Sequence, residues 1–314
     1  MKIIIAIAQV ILALGTAYAA GTLSQDIQRS VVRIETLNGT DQRVGTGFYY
    51  EYFFSAPTSS VPVIATCWHV VSSGVTGRLY FACVSTNPPC RTNIVISLPA
   101  FESLWLRHPD SNVDLAVMPI GPILKPLLDA GLHLEAFMMD ETAIPTERDL
   151  SGLGYFQDVK FVGYPIGMWD YEHNLPIGRR GITATDPLVD YNGRSEFLVD
   201  AAVFPGSSGS PVYVIDEGGY QVGRAHVMGS RFHLLGILHA VNLYSAKGKV
   251  EIVPIPTAFD ANATTQIPAS LGYAIKASRL KDFDPIIAEI MKKAAEPSTH
   301  SGTNSSSPRK ASEP

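Results

Sequence analysis

The chain has 314 residues, 46% hydrophobic and 17% charged, enough apolar material for one or two cored domains of about 100–200 residues each. Its net charge of −5 speaks against a nucleic-acid partner, which calls for a basic face.

The N-terminus carries Lys2, an apolar run from Ile3 to Leu14, and small residues at Ala17 and Ala19. That is the pattern of a cleaved export signal over residues 1–19, so a secreted or periplasmic protein is expected. No later stretch is apolar enough to cross a bilayer, so no membrane contact is expected after signal removal. Short runs with strand alternation follow: Val31–Glu35, Val44–Tyr50, Val61–Thr66, Leu79–Val84, Asn93–Leu98 and Val113–Ile120. They predict a β barrel over residues 20–121. Residues 122–152 look loop-like, with a helical turn or two, and read as a connection. Strand signals resume at Val159–Pro165, Arg179–Ala184, Glu196–Ala202, Pro211–Ile215, Leu234–Val241 and Leu271–Ile275, predicting a second barrel over 153–277. From Ser278, a candidate N-cap, Leu280, Phe283, Ile286, Ile287, Ile290 and Met291 recur at helical spacing. They predict a helix over 278–295 whose apolar stripe packs on the second barrel. Residues 296–314 are Ser/Pro/Thr-rich and read as disordered.

An exported chain can keep disulfides. Cys83 and Cys90 flank a turn-rich loop and are the preferred pair, leaving Cys67 as a buried thiol; Cys67–Cys83 and no bridge both stay open.

The chemistry centres on Phe204-Pro205-Gly206-Ser207-Ser208-Gly209-Ser210-Pro211. A serine beside glycines in a tight turn between strands can expose its hydroxyl, and the N–H groups of Gly206 and Ser208 can form an oxyanion hole. Such a serine needs a base held by a carboxylate. His69 closes an apolar strand, where a rigid sheet meets a loop. Asp114 heads the apolar Leu115-Ala116-Val117-Met118, where a carboxylate is costly to bury unpaired. Asp110 is its competitor, in a polar run. His226, His233 and His239 are close in sequence, but their spacing fits no common zinc pattern and no cysteine is near, so no metal and no cofactor are expected.

The order His69, Asp114, Ser208 resembles that of chymotrypsin-like serine proteases, and most of all the protease domain of bacterial HtrA/Deg-type enzymes and related exported trypsin-like peptidases. Asp200-Ala201-Ala202 followed by Pro205-Gly206-Ser207-Ser208-Gly209 is similar to that group's Asp-Ala-Ala and Pro-Gly-Asn-Ser-Gly. Thr66-Cys67-Trp68-His69-Val70 resembles its Thr-x-x-His-Val, and Asp114-Leu115-Ala116-Val117 its Asp-Leu-Ala-Val. The resemblance covers roughly residues 25–280. It implies an all-β fold of two antiparallel six-stranded β barrels with a C-terminal helix, and a serine endopeptidase acting on polypeptides. His69 would be the base, Asp114 its orienter and Ser208 the nucleophile. It also implies a specificity pocket built from Ala202, from Leu238, His239 and Ala240, and from Gly272. With no carboxylate at Ala202, the pocket would take an apolar P1 side chain, or an acidic one if His239 lines the wall. Ser207 replaces the usual Asn, Ser210 a common second Gly, and no further folded domain is expected after residue 278. The rival from another class is a binding module on the same fold with an impaired triad.

Overall fold

The computed structural model describes residues 23–54, 60–86, 89–90, 93–249 and 262–295. The expected signal over 1–19 and the expected disordered tail over 296–314 lie outside them. The short helix α1 (Leu23–Gln28) leads into nine strands: β1 (Val31–Asn38), β2 (Asp41–Phe53), β3 (Ser60–Thr66), β4 (Thr76–Thr86), β5 (Pro89–Cys90), β6 (Asn93–Pro99), β7 (Leu106–Arg107), β8 (Ala116–Pro119) and β9 (His133–Leu134). They form one antiparallel sheet in the order β5-β4-β1-β2-β3-β8-β7, with β6 and β9 also on β4. Three of the nine are two-residue ladders. The six longer ones are the strands the sequence pattern implies. One end differs: β8 begins at Ala116, so Asp114 lies in the loop ahead of the strand.

The connection carries two helices. In α3 (Gly121–Asp129), Pro126 sits inside the helix. At the start of α4 (Glu147–Gly152), the Thr146 and Asp149 side chains cap each other's backbone N–H groups, which satisfies donors that a helix start leaves open. Between β3 and β4 lies the single turn α2 (Trp68–Val71).

The second half contains β10 (Asp158–Gly163), β11 (Ile177–Thr183), β12 (Glu196–Asp200), β13 (Pro211–Asp216), β14 (Tyr220–Val222), β15 (Ala225–Val227), β16 (Arg231–Lys249) and β17 (Asn262–Lys276). Six of them close into a barrel, β10-β11-β12-β17-β16-β13, while β14 and β15 form a separate hairpin. Val159, Phe161, Phe197, Val199, Val212, Val214, Leu235 and Leu238 fill this barrel. Their alternation along β10, β12 and β13 is the period-two pattern of strands with one buried face.

The C-terminus corrects one expectation and widens another. Ser278 caps nothing: residues 277–283 form a 3-10 stretch with no side-chain cap, and α5 (Asp284–Ala295) follows it. This segment touches β16 of the second barrel, but it does not pack on that barrel alone. Leu280, Phe283 and Ile287 join the larger core built mainly by β1–β8. Tyr52 Oη donates to Leu280 O at 2.9 Å, and the fully buried His108 ring meets Asp282 Oδ2 at 3.0 Å. The apolar stripe needed a buried surface, and the two halves offer it together.

A second tie joins the halves. Arg33 of β1 is stacked between Tyr80 and Trp169, with its guanidinium 4.7 and 4.0 Å from the ring centroids. It pairs with the buried Glu35 at 2.5 Å. A buried arginine needs both a counter-charge and cover for its flat faces. Trp169, from the segment after β10, supplies part of that cover. Among the described residues no helix is long and apolar enough to cross a membrane.

Candidate active site

Two successive turns build the serine loop. Ser207 N–H donates to Phe204 O and Ser210 N–H to Ser207 O, each at 3.0 Å. Gly206 and Gly209 occupy their third positions with φ of +89° and +87°, which side chains rarely adopt. The loop is held from both halves. Thr46 N–H donates to Ser208 O at 2.9 Å and Gly209 N–H to Leu238 O at 2.7 Å, while Ile166 N–H takes Pro205 O. The Thr46 hydroxyl accepts from Tyr164 N–H at 3.1 Å and donates to Gly206 O at 2.9 Å. One buried side chain of β2 therefore bridges the first sheet, β10 and the serine turn. Among the described residues, neither Gly206 N–H nor Ser208 N–H donates to any protein group. Both stay available to a ligand oxygen.

His69 lies on α2, one turn past β3, so it tops a short helix rather than the strand itself. Its side chain is 48% exposed. Asp114 grips it twice: Oδ2 meets His69 Nδ1 at 2.5 Å and Oδ1 accepts His69 N–H at 2.9 Å. Trp68 N–H also donates to Asp114 O, at 3.3 Å. A carboxylate can only accept, so the neutral ring carries its proton on Nδ1 and leaves Nε2 as an acceptor. Arg43 Nη1 donates to His69 O at 2.7 Å and steadies the turn from outside. Asp110, the competing acid, is spent elsewhere. It accepts from Asn112 N–H and the Asn112 side chain. Those bonds, with Arg279 nearby, hold its carboxyl below the usual range.

The structure thus brings His69 and Asp114 together and docks the Ser208 turn on Thr46, which Thr66 Oγ1, three residues before His69, also contacts at 2.6 Å. It does not hydrogen-bond Ser208 Oγ to His69. Among the described residues the serine hydroxyl has no partner.

Cys67 is free and fully buried, and its Sγ meets Leu238 O at 3.3 Å. Burial, with the Asp114 charge added, pushes its thiol up, so it stays protonated. Cys67, His69 and Asp114 place ligand-type atoms within 4.8 Å of one another. A protonated thiol and a carboxylate already committed to His69 make a poor ion site. His226 lies exposed on β15, and burial lowers the partly buried His233; neither reaches the serine turn.

The residues expected to form the specificity pocket are neighbours across β16 and β17, where Val241 faces Gly272 and Ala240 faces Tyr273, but they differ in exposure. Ala202 and Ala240 are exposed. Leu238 is fully buried in the barrel core. Gly272 packs under Val203, where a Cβ would fall 2.7 Å from Val203 Cγ2; it adds no room. The His239 side chain is 8% exposed and turned toward Asp114 and Glu196, so it offers no open surface to an acidic P1. Sequence reasoning missed Thr46 and Glu196. Thr46 gave no signal beyond flanking glycines. Glu196 did: it heads an apolar strand, as Asp114 heads one in the sequence.

Solved structures similar to this chain are serine proteases of the trypsin and HtrA kind. Among them are the HtrA-type protease AlgW with a tripeptide, at 15% identity and a TM-score of 0.46 over 85% of this chain and 62% of that one, and a serine endoprotease from Yersinia pestis, at 14% and 0.43 over 85% and 65%. The MamO protease domain from Magnetospirillum magneticum gives 14% and 0.38 over 85% and 98%. The chain spans less than two thirds of the first two proteins. At these distances no residue role is transferred. No family model and no curated protein sequence matches the chain.

Proposed function

We propose that the chain is an exported serine endopeptidase that cleaves polypeptides through an acyl-enzyme. His69 is the base, Asp114 orients it, Ser208 attacks, and the N–H groups of Gly206 and Ser208 hold the oxyanion. The observation that carries this is the double grip of Asp114 on His69, which leaves Nε2 as the acceptor a serine proton needs. The two free N–H groups beside Ser208 support it, since an oxyanion hole needs donors not already spent. A small or medium apolar P1 side chain fits best, because Ala202 brings no carboxylate to neutralise a buried Lys or Arg.

A second reading has one observation in its favour. Ser208 Oγ is not bonded to His69, as in a protease-fold binding module with an idle triad. Catalytic hydrogen bonds are often loose without substrate and tighten in the complex, so the enzyme reading stands first. A fluorophosphonate probe separates the two: the mature chain is expected to label and Ser208→Ala to lose all labelling. A parent chain that fails to label supports the binding module, and labelling that survives in Ser208→Ala removes the site assignment.

We also propose that Cys83 pairs with Cys90. Cys83 is disulfide-bonded and Cys67 is free, and the β4–β5 ladder sets Cys90 opposite Ser85. Non-reducing peptide mapping is expected to find a Cys83–Cys90 peptide, and a peptide holding Cys67 in a bridge would overturn the pairing.

A further inference from the structure

The carboxylate that grips His69 has another neighbour. His239 follows Leu238 in β16, at a break in the pairing with β17: Leu238 faces Ala274 and Ala240 faces Tyr273, leaving His239 as the extra residue. Such a bulge re-aims a side chain and is favoured beside active sites. Here it turns the imidazole inward. His239 Nδ1 stands 3.9 Å from Asp114 Oδ2, the oxygen that meets His69 Nδ1. On the opposite side, Nε2 stands 3.2 Å from Glu196 Oε1. Glu196 opens β12, its side chain is 6% exposed, and Oε1 also takes Arg194 Nη2 at 2.6 Å. The Tyr273 ring stands edge-on, 6.3 Å away. The groups facing His239 are therefore Asp114 ahead of β8, Glu196 and Arg194 at the start of β12, and Tyr273 on β17. The Cys67 thiol and His69 lie beyond it, against Asp114.

A buried imidazole between two carboxylates is not filler. Nε2 lies close to Glu196 Oε1 but makes no hydrogen bond there, so the ring meets both carboxylates through electrostatics rather than through a shared proton. The contact to Asp114, at 3.9 Å, is too long for a hydrogen bond. Burial works to raise Glu196, but His239 and Arg194 outweigh it and keep the carboxyl below its usual range. Glu196 thus stays a charged anchor behind the ring.

We propose that His239 is a positioning residue that fixes the Asp114 carboxylate and, through it, His69, with Glu196 and Arg194 bracing it from behind. The kinetic half of this inference rests on His69 acting as the base of a serine protease; the geometric half does not.

The test uses the mature full chain with His239→Phe, His239→Gln and Glu196→Gln. In the active chain, His239→Phe is expected to lower kcat by about 10- to 100-fold, the scale on which a displaced catalytic group slows a reaction. KM and P1 preference stay unchanged, and the acid limb of the rate profile moves. His239→Gln, which keeps a polar group between the two carboxylates, recovers part of the rate. Glu196→Gln moves both readouts the same way by less, and adds nothing on top of His239→Phe, as for residues acting in one chain. In a Ser208→Ala background, nitrogen-labelled histidine NMR follows the His69 ring directly. Its titration is expected to move by about half a pH unit or more in His239→Phe, because a neighbouring charge contact has changed. An unmoved titration overturns the proposal, as does a retained kcat with an altered KM or P1 preference, which would return His239 to the substrate pocket. If His239→Phe does not fold, the near-isosteric Glu196→Gln carries both readouts. A chain that hydrolyses nothing but whose His69 titration moves refutes the protease reading and supports the positioning role.

Discussion

Asp114→Asn is expected to lower kcat about 10⁴-fold with the fold intact, the scale seen when a triad acid is made an amide; at about 1.4 kcal/mol per tenfold, that is about 5–6 kcal/mol of transition-state stabilisation. The reason is one proton. In the parent, Oδ2 meets His69 Nδ1 at 2.5 Å and can only accept, so the ring holds its proton there. An amide at the same place keeps Oδ1 for His69 N–H, a bond of 2.9 Å in the parent. Its nitrogen then faces Nδ1 as a donor, which moves the ring proton to Nε2, where the serine proton must go. KM should change little, because neither Asp114 nor the tautomer contacts the substrate. Asp110→Asn is the control. That carboxylate serves Asn112 and Arg279, so its loss should change kcat less than about twofold, as for exposed charges in general. Steady-state hydrolysis and the probe-labelling rate report both. Should Asp110→Asn be the damaging variant and Asp114→Asn the silent one, the acid assignment is wrong.

How much of this was legible in the chain depends on which force marks a residue. Alternation marks strands with one buried face, so the all-β class, the closed second barrel and the C-terminal helix could be read before any coordinates. Partners could not. The stripe Leu280, Phe283, Ile287 says that a helix is buried, not against what, and it packs into a core that both halves share. Burial cost marks charged residues at the head of apolar runs. That reasoning picked out Asp114, and applied evenly it would have picked out Glu196. Thr46 was beyond it, because a threonine in a strand costs nothing to place there and its value lies in the two backbone groups it happens to meet. His239 was read as a pocket wall, whereas its side chain lies toward Asp114 and Glu196, for a local reason. Side chains alternate faces along a strand, so one inserted residue flips the assignment, and the bulge between Leu238 and Ala240 is that residue. Nothing in Ile237-Leu238-His239-Ala240 announces it.

Gly209→Ala is expected to be the most damaging of the small substitutions. Two costs fall on one methyl group. At φ +87° a side chain crowds its own backbone, a penalty of about 1–2 kcal/mol. The new Cβ would also sit 1.9 Å from Thr46 O and 2.4 Å from Thr66 Oγ1. The first of these is backbone, fixed in β2 by its own ladder, so the turn has to move instead, at about 1–3 kcal/mol for overpacking. Together these predict a loss of about 2–5 kcal/mol, or about 5–15 °C in Tm for a chain of this size. Function suffers further, because the turn can retreat only by giving up the bonds Thr46 N–H to Ser208 O and Gly209 N–H to Leu238 O. Those two bonds set Ser208 against the first half. Gly223→Ala separates the two costs: its φ is +59°, yet nothing lies within 4 Å of the added methyl, so it should lose only the conformational part and keep full activity. Thermal unfolding in a Ser208→Ala background gives the stabilities free of self-digestion, and probe labelling of the active forms gives the rates. Equal losses at the two positions would mean that the turn is not packed on Thr46, and the serine would then have no fixed place beside His69.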